Sequence, residues 1–259
     1  ALGVFNQFYS FYILFSQVAV GGTHLSVLKH VPQYIDNTFL IKRIFTAGLI
    51  MTALLSLAVT IIYALISTSV GKILDSPNIS VGMLYAAPGL FLFAFGKVFL
   101  ALLNGLSKMK SYAVFQAMRY ILIFLFILAF CLFQVNSIIL PAAFSIAEIL
   151  LFIIMLVYLR NWLAFSDRKE LAGWIRRHFS FGMRVVGGHI MLDINNRVDV
   201  LVLGYFASDQ IVGIYSIASI LADGFYQIVM VLRNNVNPLL TRTYFEDKQK
   251  LAALVKSWK

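Results

Sequence analysis

Asp193, Arg197 and Asp199 stand in the middle of HIMLDINNRVDVLVLGYF, residues 189–206, a stretch otherwise built largely of Ile, Leu, Val and Met. At about 100° per residue, His189, Asp193, Asn196 and Arg197 share one helical face, and Asp199 lies about 60° beyond Asn196. Insertion scales put Arg or Asp at the centre of a membrane helix at ~2.5–3.5 kcal/mol each, so three cost roughly 8–10 kcal/mol. Ten or so Val, Leu and Ile residues return only about 3–6 kcal/mol. The polar face must therefore meet protein or water instead of lipid.

Further ionisable residues interrupt other apolar stretches: His24 after Gly21-Gly22, Lys97 after the heptad-spaced Gly82, Gly89 and Gly96, Glu148, and Asp223. If these converge, a cavity with Arg197, Lys97 and His24, flanked by Asp193 and Asn196, neutralises a phosphate-bearing head group. Asp199, Asp223 and Glu148 suit a coupling proton or sodium ion, or hydrogen bonds to sugar hydroxyls. Plainer readings stand beside these. Asp193 and Arg197 are spaced for an i, i+4 salt bridge, Lys97 can snorkel, His24 can pack between helices, and glycine stripes usually mean close helix contact. No His/Cys metal spacing, Gly-rich phosphate loop or Ser-His-Asp set is present, and no cofactor is expected beyond a proton or sodium gradient.

The elements that carry these residues are legible from composition. Of 259 residues, 61% are hydrophobic and 12% charged, against about 25% charged in soluble domains. Apolar stretches long enough to cross ~30 Å of hydrocarbon recur along the chain, and alternating strands of a β-barrel do not. The expectation is an all-α, polytopic transmembrane helix bundle with seven spans, roughly 5–28, 44–66, 81–103, 113–133, 138–159, 183–206 and 210–232. Residues 1–159 read as an N-terminal lobe, 160–182 as a cytoplasmic linker with an amphipathic helix, and 183–259 as the start of a C-terminal lobe. In the linker, Leu171, Trp174, Ile175 and Phe179 fall at helical spacing opposite Arg and Lys, the pattern of an interfacial helix.

The net charge of +10 is unevenly placed. Basic residues collect in four segments: Lys29 to Arg43; Lys108, Lys110 and Arg119; Arg160 to Arg184; and Arg233 to Lys259. The opposite-side connections hold only Lys72. The positive-inside rule makes the basic side cytoplasmic, and anionic membrane lipids account for the pI without nucleic acid. The single cysteine, Cys131, permits no intrachain disulfide.

Span one, LGVFNQFYSFYILFSQV (2–18), and span seven, VGIYSIASILADGFYQI (212–228), align at an offset of 210, with Gly3 on Gly213 and Gln17 on Gln227. Spans six helices apart with the same direction are the pattern of parallel transporter repeats. On that reading the chain is a fragment, lacking its first helix and several helices beyond Lys259.

GVFNQFYSFYILFSQVAVGGTHLSVLKHV (3–31) and NNRVDVLVLGYFASDQIVGIYSIASILADGFYQI (195–228) resemble the polysaccharide-transporter family. It comprises O-antigen (lipopolysaccharide) and capsular repeat-unit flippases within the multidrug/oligosaccharidyl-lipid/polysaccharide exporter superfamily. The resemblance implies a bacterial or archaeal cytoplasmic-membrane protein of about 12 to 14 helices in two six-helix lobes. It would carry an undecaprenyl-pyrophosphate-linked oligosaccharide between leaflets by alternating access, alongside a polysaccharide polymerase and a chain-length regulator. Arg197 and Lys97 are the in-span basic candidates that it points to. A multidrug/cation antiporter of the same superfamily is the alternative, although mid-membrane Arg and Lys count against it. A membrane-embedded polysaccharide-assembly enzyme is a further one, disfavoured by outer loops of about 4 to 14 residues.

Overall fold

The computed structural model describes residues 2–163, 168–195 and 198–226, and among these there is no strand. The helices are α1 (Leu2–Val20), α2 (Thr23–Gln33), α3 (Thr38–Ile73), α4 (Pro77–Gly105), α5 (Met109–Leu132), α6 (Ala142–Leu159), α7 (Arg168–Asn195) and α8 (Val198–Phe206). Short 3-10 turns at Ser137–Ile139 and Arg160–Trp162 bracket α6. Contacts divide the chain into two units, Ala1–Gly213 and Ile214–Lys259. In the second unit, residues 214–226 are helical.

The chain is a multi-pass membrane protein. Four helical segments are long and apolar enough to cross a bilayer: Thr38–Ile73, Pro77–Gly105, Met109–Leu132 and Ser137–Trp162. α1 and α2 make a fifth if a pair bent by 48° is one span. These match expected spans one to five. In the region of expected span six, α7 runs from Arg168 to Asn195 and α8 from Val198 to Phe206, while residues 196–197 lie outside the described ones. The amphipathic stretch and the first half of the span are thus one helix. Span seven runs beyond the described residues.

Helix ends follow from local chemistry. Pro77 opens α4, where its missing N–H costs nothing. The Asn37 side chain accepts from the Leu40 N–H at 3.0 Å and so starts α3. α3, α4 and α5 each end on a non-glycine residue in the left-handed region: Asp75 (φ 46°), Ser107 (φ 56°) and Gln134 (φ 52°). Each closure carries the same bond pair, for instance Ser76 N–H to Gly71 C=O at 2.9 Å with Asp75 N–H to Lys72 C=O at 3.3 Å. Such Schellman pairs satisfy carbonyls that a helix end otherwise orphans.

α4 is the central helix of the first unit, packed by α1, α2, α3 and α6. Two apolar clusters surround it. One gathers Phe8, Tyr12, Tyr63, Met83, Leu90, Phe93 and Phe144. The other gathers Val27, Ile44, Phe45, Val98, Phe99, Leu102, Leu151, Met155 and Trp174, at the end where basic residues concentrate. α5 leaves Val114, Ile121, Phe124, Leu125 and Leu132 on its open side, the face a lipid-exposed helix requires.

Candidate functional site: a charged layer between two apolar clusters

Of the helices that cross from one apolar cluster to the other, three place a charge at the crossing. α4 leaves the first cluster at Phe93 and joins the second at Val98, with Gly96 and Lys97 between. α6 contributes Phe144 to the first, Leu151 to the second, and Glu148 between them. α5 packs Phe115 on one, Ile123 on the other, and holds Arg119 midway. Arg119 Nε lies 2.7 Å from Glu148 Oε1, with side chains only 6% and 2% exposed. Arg119 Nη2 also donates to Glu148 Oε2 at 3.4 Å. A second ion pair, Arg43–Glu170, lies at the basic end.

Phe93 supports the cations: the Arg119 guanidinium sits 4.2 Å and Lys97 Nζ 5.0 Å from its ring centroid, distances at which the ring's negative face attracts charge. Tyr12 of α1 meets Phe93 edge-on at 5.7 Å. The Tyr12 and Tyr63 hydroxyls are buried without a hydrogen-bond partner among the described residues. Two cations and one carboxylate therefore share a level of an otherwise apolar first unit, with the Tyr12 phenol packed against the same Phe93 ring.

The glycine stripe makes this level possible. A Cβ on Gly96 would collide with Arg119 Nη2 and stand 3.7 Å from Glu148 Oε2. One on Gly89 would stand 2.9 Å from Ser145 Cα, and one on Gly82 would stand 3.2 Å from Pro141. Three heptad-spaced glycines thus press α4 onto α5, onto α6, and onto the turn preceding α6. Ser145 inserts its hydroxyl into the α4 ladder, accepting from the Gly89 N–H at 2.9 Å and donating to the Tyr85 C=O at 2.6 Å. Pro88 is already one missing donor in that turn.

Of the sequence candidates, Lys97 and Glu148 belong to this layer. His24 lies in the first turn of α2, half-buried, and Asp199 in the first turn of α8. Asp223 is an exposed residue of the second unit. Arg197 and Asn196 lie outside the described residues, as does the side chain of Asp193. Arg119, taken with the basic loops, instead sits inside α5, 5% exposed. Its position within span 113–133 and the lack of a partner for Glu148 along α6 were the available signals. Among the described residues no three His, Cys, Asp or Glu side chains group to hold a metal.

Contacts tie the elements of the first unit together at each end. At the end away from the basic residues, Asp209 accepts from Gln7 Nε2 at 3.2 Å and from Ser76 Oγ at 2.9 Å. There a Cβ on Gly3 would strike the Asp209 carbonyl and stand 3.0 Å from Gly213 N. At the basic end, Gly21 and Gly22 (φ 53° and 70°) turn the chain from α1 to α2, and Gly22 meets Gly182 of α7 backbone to backbone. His178, ahead of the apolar half of α7, approaches the Ile44 carbonyl through Nε2 at 3.0 Å and Ser26 Oγ through Nδ1 at 2.8 Å. A carbonyl only accepts, so Nε2 carries the proton and Nδ1 accepts from the serine. Burial, reinforced by nearby His30, lowers His178 to about 4 despite that carbonyl bond.

A family model described as polysaccharide biosynthesis protein matches residues 1–245. No curated protein and no solved structure matches the chain.

Proposed function

The chain belongs to the polysaccharide biosynthesis protein family, and from that premise we propose that it is a flippase for a lipid-linked oligosaccharide. The cargo is an undecaprenyl-pyrophosphate-linked repeat unit, carried to the outer leaflet of the cytoplasmic membrane by alternating access, with the basic loops cytoplasmic. The reading makes the protein a transporter and not an enzyme. Its partners are the lipid-linked oligosaccharide, bilayer lipids, and a polysaccharide polymerase with its chain-length regulator. A proton or sodium gradient drives it.

The observation that carries the reading is the layer of Lys97, Arg119 and Glu148 inside the bundle. Ionisable groups at this depth are costly in lipid and mark a polar path or relay. Two cations against one carboxylate favour a phosphate-bearing cargo over a cationic drug. The buried Tyr12 and Tyr63 hydroxyls suit sugar hydroxyls. Arg197, in the sequence stretch that most resembles these flippases, is the second basic candidate.

The test uses the full-length protein in cells lacking it. Lys97→Gln and Arg197→Ala should each cut surface polysaccharide at least about tenfold while the protein still inserts at normal levels, and lipid-linked repeat units should accumulate inside. Unchanged surface polysaccharide in both variants would reject the flippase reading.

A further inference from the structure

A strongly basic concavity lies outside the charged layer, at the basic end between α2 and α7. Arg176, Arg177, Ser180 and Arg184 follow one another at helical spacing on α7 and face Lys29 and His30 of α2 across a cleft of about 380 Å³. That volume is within the ~300–1,000 Å³ usual for small-ligand sites. Among the described residues no acidic side chain lines it.

Lys29, Arg177 and Arg184 are held by neutral partners. Arg177 lies 4.7 Å over the Trp174 ring, and Lys29 lies 4.9 Å over the Phe181 ring. Arg184 donates through Nε to the Ser180 carbonyl at 3.0 Å and through Nη2 to its hydroxyl at 3.4 Å. Aromatic faces and carbonyls fix a cation's position without cancelling its charge. Glu170, at the start of α7, is engaged by Arg43 of α3. Charges placed only to orient a membrane protein have no reason to converge on one hollow. Gly173 completes the cleft, and a Cβ there would meet nothing within 4 Å among the described residues, which leaves room at the wall.

We propose that this α2–α7 cleft is a binding site for a phosphate or pyrophosphate head group, read by forked guanidinium contacts. The site is separate from the layer within the lobe. If the flippase reading holds, it would receive the phosphate end of the cargo or of a bilayer lipid before any crossing.

The experiment titrates pyrophosphate by calorimetry against the full chain in nanodiscs of zwitterionic phosphatidylcholine. Trp174 fluorescence serves as a local reporter, because an anion on Arg177 perturbs the ring beneath it. Arg176→Gln/Arg177→Gln should weaken binding at least about tenfold. Gly173→Asp, which adds a carboxylate where there is room, should abolish it. Lys108→Gln/Lys110→Gln, which removes two charges elsewhere, should leave it unchanged. A second arm uses discs of anionic phosphatidylglycerol. Pyrophosphate binding lost there identifies the occupant as a bilayer head group, and binding retained there identifies a cargo-type pyrophosphate. No binding in the neutral discs, or equal weakening by the control pair, would overturn the proposal. Binding is read without transport, so failure here leaves the flippase reading standing, and a failed export assay leaves the cleft standing.

Discussion

At the scale of single residues, the molecule's chemistry rests on groups whose protons and charges are held by burial. Removing one member of a buried ion pair strands the other and costs about 3–5 kcal/mol, whereas replacing both is often nearly neutral. Arg119→Leu should therefore lower thermal stability in detergent by that amount, and adding Glu148→Leu should restore most of it. A double variant as damaged as the single would mean the pair is not the unit. His178 makes a pH prediction whose sign is opposite to that of a salt-bridged histidine. The unfolded chain takes up its proton below about 6.5, the folded one only near 4. Stability is thus intact above 6.5 and falls as pH drops between those values, by about 3 kcal/mol in total. Following the melting temperature from pH 7.5 to 4.5 checks this, and His178→Gln should flatten the curve. Lys97 and Glu148 were legible in the sequence because each breaks an apolar run. Arg119 was not, because in sequence it follows Lys108 and Lys110 early in span 113–133, where a cation looks the same whether it points to water or inward. Only the register of α5 against α6 distinguishes the two.

At the scale of elements, close packing depends on where side chains are absent. Gly89→Ala would press a methyl against the Ser145 backbone and should destabilise by about 1–3 kcal/mol as overpacking. Gly187→Ala in α7, with nothing within 4 Å, should be neutral or stabilising by up to about 1 kcal/mol through helix propensity. Equal melting temperatures for the two would refute the packing account. Spans two to five were legible because uninterrupted hydropathy reports length directly. Two features were not. Local composition does not reveal a bend without proline, and Gly21-Gly22 turns α1 into α2 by 48°. Nor does polarity end a helix, so the charged stretch from Arg168 continues into α7 without a break. The ends of α3, α4 and α5 carry Asp, Ser and Gln where glycine is the usual signal, and this hid their boundaries.

At the scale of the whole molecule, the end of the first unit away from the basic residues is fastened by Asp209 to Gln7 and Ser76. Cysteines at Ser76 and Asp209, with Cys131 replaced by Ser, should cross-link through a short bis-thiol reagent. In the full-length protein this should stop glycan export until reduction. Export continuing at full rate in the linked protein would mean that this closure need not open. The repeat read between spans one and seven meets the structure at one point: Gly3 and Gly213, equivalent by the 210-residue offset, approach each other at the fastened end. The charged layer also bears on biogenesis. Arg119 leaves the ribosome ahead of Glu148, 29 residues later in the chain, so α5 reaches the translocon with an unneutralised guanidinium. Waiting at the channel until α6 emerges, and then partitioning sideways as a neutral hairpin, avoids exposing that charge to acyl chains. Loss of Glu148 should consequently appear first as failed membrane integration of α5, before any mature protein exists to be tested for activity.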